Sequence, residues 1–244
     1  MSDPHNASAI RLVSSLRAGE QGALAELFDT YADRLFGHCW FMLRNADLAQ
    51  ISLRDTLAVA AAHIGRLADT GNLESWLYAL ARVECRRRRP VPPAEADEPP
   101  ARPSQPDADS RLMAWNAVTS MDPDTMGVLD LSCRHDVDLG LVLGMPGHEA
   151  RGLLDVAGQE LEQALGAEIL VSRAGHACPD RAEVMDGWTG TMTPELRERV
   201  LRHAANCPLC RPKLPRNVSA TRVFALLPVP SLPPGTRERV LDFF

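Results

Sequence analysis

Two cysteines three residues apart, Cys207 and Cys210, follow a histidine, His203, along one polar stretch. If that stretch is helical, His203 and Cys207 lie one turn apart on the same side, with Cys210 just beyond. Thiolate and imidazole donors at this spacing suit a tetrahedral zinc ion. A closed structural site needs a fourth donor, and Cys178 is the first choice upstream, with His176 second. The reading is therefore a structural zinc site built from Cys178, His203, Cys207 and Cys210. Thiolate ligands can also be oxidised with loss of metal, so a redox switch is the alternative chemistry for the same residues.

The second concentration of reactive groups is cationic. Residues Leu73 to Arg89 read as an amphipathic helix that buries Trp76, Leu77, Leu80 and Val83 and ends in Arg86, Arg87, Arg88 and Arg89, with Arg82 one turn earlier. Pro90 stops it. Lys213 is the single lysine, so nearly all the positive charge is guanidinium, which stays ionised and can grip phosphate bidentately. A basic helix end can meet a polyanion; it also suits the helix dipole, and a merely solvated terminus is the plainer reading. No paired carboxylates, no nucleophile beside a base and no glycine-rich phosphate loop stand out, and a four-ligand zinc site leaves no open position. The chain is not expected to be an enzyme, and no small-molecule substrate is implied.

The elements that must position these groups are helical throughout. From Ala9 to Arg89 apolar residues recur at helical spacing, through Leu12, Leu27, Tyr31, Leu35, Leu53 and Leu57, with breaks at 18–22, 44–47 and 69–72. An all-α bundle with short connections follows. A Pro- and Asp-rich linker is assigned to 91–110, too poor in apolar residues to pack. Residues 111–172 form a second helical unit whose middle, Val128 to Leu154, has the outline of a helix-turn-helix with its turn at Gly144 to Gly147. The zinc ligands fall in a third unit, 173–215. There Thr193 is the expected N-cap, Pro194 the first helical residue and Glu195 a favourable early acid. A proline-broken apolar tail, 216–244, leads into a short helix suited to a partner or a membrane surface.

Residues 9 to 89 resemble the core-binding and minus-ten-reading region of the extracytoplasmic-function sigma factors of RNA polymerase. The resemblance is carried by the helix Ala23 to Phe36, by Arg54-Asp-Thr-Leu57, and by the closing Trp76-Leu-Tyr-Ala-Leu-Ala-Arg82, in order and with matching gaps. Residues 111–172 resemble the minus-thirty-five-reading domain of the same family. Cys178 with His203-x3-Cys207-x2-Cys210 is similar to the zinc-binding anti-sigma domains, and Asp186-Gly187 and Met192-Thr193-Pro194 fit the turn before the ligand helix. The implied architecture is a sigma region-2-like bundle at 1–90, a region-4-like helix-turn-helix and a small zinc-binding helical domain. The implied function is transcription initiation: docking on the RNA polymerase core and holding promoter DNA, with the C-terminal part folding back to restrain it.

On that resemblance, Arg82 and Arg86 to Arg89 would meet DNA phosphates, and the loop Asp69 to Asn72 would hold an unstacked base, with Asn72 its contact. Where the family carries an acidic run, this chain has Leu48 to Asp55, so Asp33, Asp47 and Asp55 are left as the polymerase-facing carboxylates. From Asp107 to Glu168 a dozen acidic residues stand against Arg111, Arg134 and Arg151, a balance that repels a phosphate backbone. The second reading is therefore an interaction protein that binds polymerase, or another sigma or anti-sigma protein, without reading DNA.

With 244 residues, 45% of them hydrophobic, the chain can bury a sizeable core, and its net charge of -6 makes the arginine cluster a local feature. Neither a leader nor a membrane span is evident, and a cytoplasmic location is expected. In a reducing compartment Cys39, Cys85 and Cys133 read as small core residues, and Trp115 and Trp188 as packing anchors.

Overall fold

The computed structural model describes residues 4–89, 108–172, 178–186, 188, 190, 192–228 and 231–244. Among these the chain is all-α, with twelve α-helices and no strand. His176, Gly187 and residues 91–107 of the expected linker lie outside the described residues. The remainder of that linker is not linker: Ala108 to Ser110 form the first turn of a helix.

Contacts divide the chain into two compact units that do not follow chain order. One comprises the described residues within Met1–Glu98, Arg134–Arg151 and Val229–Phe244, the other those within Pro99–Cys133 and Gly152–Pro228.

In the first unit, α1 (Pro4–Ala18), α2 (Ala23–Leu43), α3 (Ala46–His63) and α4 (Leu73–Arg88) pack together. The breaks between them have local causes. Arg44 takes a left-handed conformation that ends α2, and the Asn45 side chain caps α3 by accepting from the Leu48 N–H at 2.8 Å. Before α4, Asp69 accepts from the Gly71 N–H and from the Asn72 side chain, each at 3.0 Å, which fixes the turn that starts the helix.

The buried seam of α4 is Leu73, Leu77, Tyr78, Ala81 and Cys85. Of the four residues expected on its buried face, Leu77 is buried, Trp76 and Leu80 are half-buried, and Val83 is 55% exposed. The seam runs in steps of four from Leu73, and Val83 sits about 200° round the helix from Ala81. A fully buried leucine contributes about 1.5–3 kcal/mol, so Leu73 and Leu77, rather than Val83, hold the helix down. Cys39 and Cys85 are fully buried, whereas Cys133 is half-buried and donates its thiol to the Leu129 carbonyl at 3.2 Å.

The same unit includes α7 (Leu139–Leu143), which packs on α4. The Asp138 backbone N–H donates to Ser75 Oγ at 2.8 Å while its side chain caps α7 through the Leu141 N–H. Gly144 ends α7 at φ 69°, and a Cβ on Gly140 would stand 3.0 Å from the Met145 carbonyl oxygen. The tight turn expected at Gly144 is thus present, and both glycines are required by it. The short α12 (Thr236–Leu241) packs on α2.

In the second unit, α5 (Ala108–Thr119) and α6 (Pro123–Ser132) bury Ala114, Trp115, Val118, Met126, Leu129 and Leu131. Asp122 caps α6 ahead of Pro123 at the first position. The long α8 (Gly147–Ser172) contributes Ala167 and Leu170 to a core shared with α9 (Pro179–Val184) and α10 (Pro194–Asn206). The short α11 (Ala220–Phe224) packs on α6. Trp115 is packed as expected, whereas Trp188 is 40% exposed. No helix among the described residues is long and apolar enough to cross a membrane.

Candidate metal centre

Three short elements bring four donors to one point. Cys178 is the N-cap of α9, His203 lies in the last turn of α10, Cys207 ends α10, and Cys210 begins a 3-10 turn, Arg211–Lys213. Each position follows from local chemistry. Pro179 at the first position of α9 holds Cys178 in an extended conformation, outside the helix. At α10 the Thr193 side chain accepts from the Leu196 N–H at 3.2 Å, and Pro194 and Glu195 follow, as the sequence indicates. A hydrogen bond from its own backbone N–H, followed by one from the Thr193 side chain, holds the Glu195 carboxyl below its ordinary range. Beyond α10, the Arg211 N–H bonds the Cys207 carbonyl at 2.9 Å and the Lys213 N–H the Cys210 carbonyl at 3.0 Å. That turn folds Cys210 back beside Cys207.

The donor atoms of Cys178, His203, Cys207 and Cys210 all lie within 4.8 Å of one another. Cys178 Sγ is 3.3 Å from His203 Nε2 and 3.7 Å from Cys207 Sγ. Bond lengths of about 2.3 Å to sulfur and 2.0–2.1 Å to nitrogen imply tetrahedral edges of about 3.5–3.8 Å, so these separations suit one metal ion. All three cysteines are buried, and His203 is half-buried.

The thiols are electrostatically unequal. Burial pushes Cys207 up, but backbone hydrogen bonds from Cys210 and Leu209 and contacts with the Cys178 and Cys210 thiols outweigh it, leaving Cys207 below the ordinary thiol range. Burial, followed by its two sulfur neighbours, pushes Cys210 up to about 11. Such a cluster without an ion pays for crowding three acidic thiols, and a bound cation removes that cost.

The metal-bearing segment does not close a core of its own. Cys178, Cys207 and Cys210 share one with Ala167, Leu170, Met192, Leu196, Val200 and Ala204. A Cβ on Gly166 would stand 3.0 Å from a Leu214 methyl, so α8 meets this segment at close range.

The residues expected to meet DNA are not gathered into one site. Asn72 precedes α4 and the arginines end it; sixteen residues at 1.5 Å each put about 24 Å between them. The Asn72 side chain is engaged by Asp69. Arg86 and Arg87 are exposed, while Arg82, Arg88 and Arg89 are half-buried. Buried Glu84 accepts from Arg87 at 3.1 Å and from Arg88, whose other nitrogen pairs with Asp55. Of the carboxylates expected to face polymerase, Asp33 and Asp47 are exposed, on α2 and in the first turn of α3; Asp55 is half-buried between Arg54 and Arg88.

Glu84 is the shared partner of Arg87 and Arg88, a role not expected of it from the sequence. Its spacing of three and four residues before Arg87 and Arg88 was the available signal. Against protein-family models and characterised proteins, the chain matches none.

Proposed function

We propose that this chain is a sigma-like regulator of transcription initiation whose C-terminal part is held together by one structural zinc ion on Cys178, His203, Cys207 and Cys210. The observation that carries the zinc assignment is the donor set itself, three thiols and an imidazole converging at tetrahedral separations. When bound, zinc supplies a crosslink between α9, the end of α10 and the turn after it, in a segment with few large apolar side chains. The sigma-like reading rests on the residues of α2, α3 and α4 that resemble the family, with their helical packing consistent with it. On this reading the N-terminal helices dock on the polymerase core and the arginines of α4 meet promoter DNA.

The test is reconstitution. Purified protein with core RNA polymerase should start transcription from members of a promoter library and should carry one equivalent of zinc. Initiation at none of them would remove the sigma reading, and zinc well below one equivalent, unchanged in Cys207→Ala, would remove the metal.

A second reading is supported by the pairing of Arg87 and Arg88 with Glu84 and Asp55. Cations already neutralised release fewer counterions from a nucleic acid. On this reading the protein binds polymerase, or another sigma or anti-sigma protein, without reading DNA. Retention on core polymerase with no affinity for a minus-ten single strand selects it over the first.

A further inference from the structure

We propose that α12 is a displaceable latch over the outer face of α2 and α3, held by Arg237 on Asp29. The guanidinium grips the carboxylate with both nitrogens, Nε donating to Oδ1 at 2.7 Å and Nη2 to Oδ2 at 3.0 Å. Two residues on, Arg239 donates to Gln50 Oε1 at 3.0 Å, and the Arg54 guanidinium lies 4.8 Å from the centre of the Phe243 ring. Three separate side chains of α2 and α3 are therefore occupied by one short terminal segment. The hydrogen bond from Arg237 also holds the Asp29 carboxyl below its ordinary range.

The grip is specific but weak. A helix of six residues is too short to persist alone, so α12 is helical because it is docked. Val240 and Thr236 are its only buried side chains, while Phe243 and Phe244 remain more than half exposed. A groove of about 540 Å³ runs between α12 and α3. The Arg237–Asp29 pair is itself about half exposed on both sides, the kind that adds little stability. Such a contact closes a surface without committing it.

What it closes is defined by helix geometry. Asp29 lies one turn before Asp33 on α2, and Gln50 and Arg54 lie one and two turns after Asp47 on α3. A partner that sets a cation against Asp29 and an aromatic group against Arg54 competes directly with the tail. That the partner is core RNA polymerase rests on the function proposed above; that the latch opens and closes does not.

Amide hydrogen exchange on the full chain tests the latch. Arg237→Glu should speed exchange across α12 by about fivefold, and the charge swap Asp29→Arg with Arg237→Glu should restore wild-type rates. Exchange in α12 that is the same in wild type and Arg237→Glu overturns the latch. Because Arg237→Glu alters only the tail, it should also raise retention on core polymerase by a similar factor. Equal retention of the two proteins overturns the gating even if exchange changes. Retention of neither removes polymerase as the partner and with it the proposed function, while the exchange measurement still decides whether the latch exists.

Discussion

Asp55 of α3 and Arg88 of α4 form an ion pair, with side chains only 22% and 18% exposed. A carboxylate expected to face polymerase and a cation expected to face DNA thus satisfy one another inside the same unit. Glu84 completes the arrangement from below, buried and shared between Arg87 and Arg88. The charge that α4 presents at its end is smaller than four consecutive arginines suggest.

Replacing Glu84 with Gln should therefore have two opposed effects. Loss of a buried, charge-assisted acceptor lowers the unfolding free energy by about 1–3 kcal/mol, measurable in urea. Release of the Arg87 guanidinium, with Arg88 still paired to Asp55, steepens the salt dependence of single-strand binding by about 0.7 in log–log slope. Fluorescence anisotropy with a minus-ten oligonucleotide across a salt series reads the second effect. An unchanged slope would show that Arg87 does not face nucleic acid.

The metal centre predicts a coupled loss of ion and fold. Chelation, or Cys210→Ser, should unfold the α9–α10 segment while leaving the α1–α4 unit intact. Near-complete loss of one zinc equivalent should accompany the melting of a single calorimetric transition. Titration with acid should do the same, because protons compete with zinc for thiolate and imidazole. A chelated protein with unaltered exchange protection in α10 contradicts a structural role.

Glu168 supplies a pH prediction outside the metal centre. It is 4% exposed on α8, and burial pushes its carboxyl above the ordinary glutamate value of 4.5, against the hydrogen bond from Asn116 and the charge of Arg197. The folded state therefore holds this proton more tightly than the unfolded chain. Its contribution to stability is full below pH 4.5 and is lost as pH rises through the elevated value. Glu168→Gln should melt higher than wild type at pH 7, and the difference should shrink towards pH 4. A difference that instead grows on acidification reverses the sign and refutes the account.

How much of this was legible depended on whether the determining interactions were local. The α10 cap at Thr193, the turn at Gly144 and the grouping of His203, Cys207 and Cys210 are set by neighbours within a few residues and were legible in their spacing. Cys178, by contrast, lies 25 residues before His203 and was only the first choice over His176. Long-range pairing was not legible. Nothing near Ser75 announces that its hydroxyl accepts from Asp138, 63 residues away, or that α7 packs on α4. The same holds for Arg237 and Asp29, which are 208 residues apart. Val83 failed for a third reason: apolar residues on both sides of α4 left its buried face ambiguous, and the packing of α2 and α3 decided it.

The choice of Cys178 over His176 as fourth donor yields a last prediction. Cys178 occupies the N-cap of α9 with its sulfur 3.3 Å from His203 Nε2, so its position is fixed by Pro179 and the helix after it. Cys178→Ala removes one donor of four while leaving that geometry in place. Zinc affinity should fall by at least about a hundredfold, since loss of a ligand exceeds the 10–100-fold cost of disturbing an outer-shell partner. His176→Ala should leave affinity within about twofold. The reverse pattern, or retention in both single variants with loss only in the double, would assign the fourth position to His176 or to an exchange between the two. Competition with a chromogenic zinc chelator distinguishes these outcomes on the intact chain.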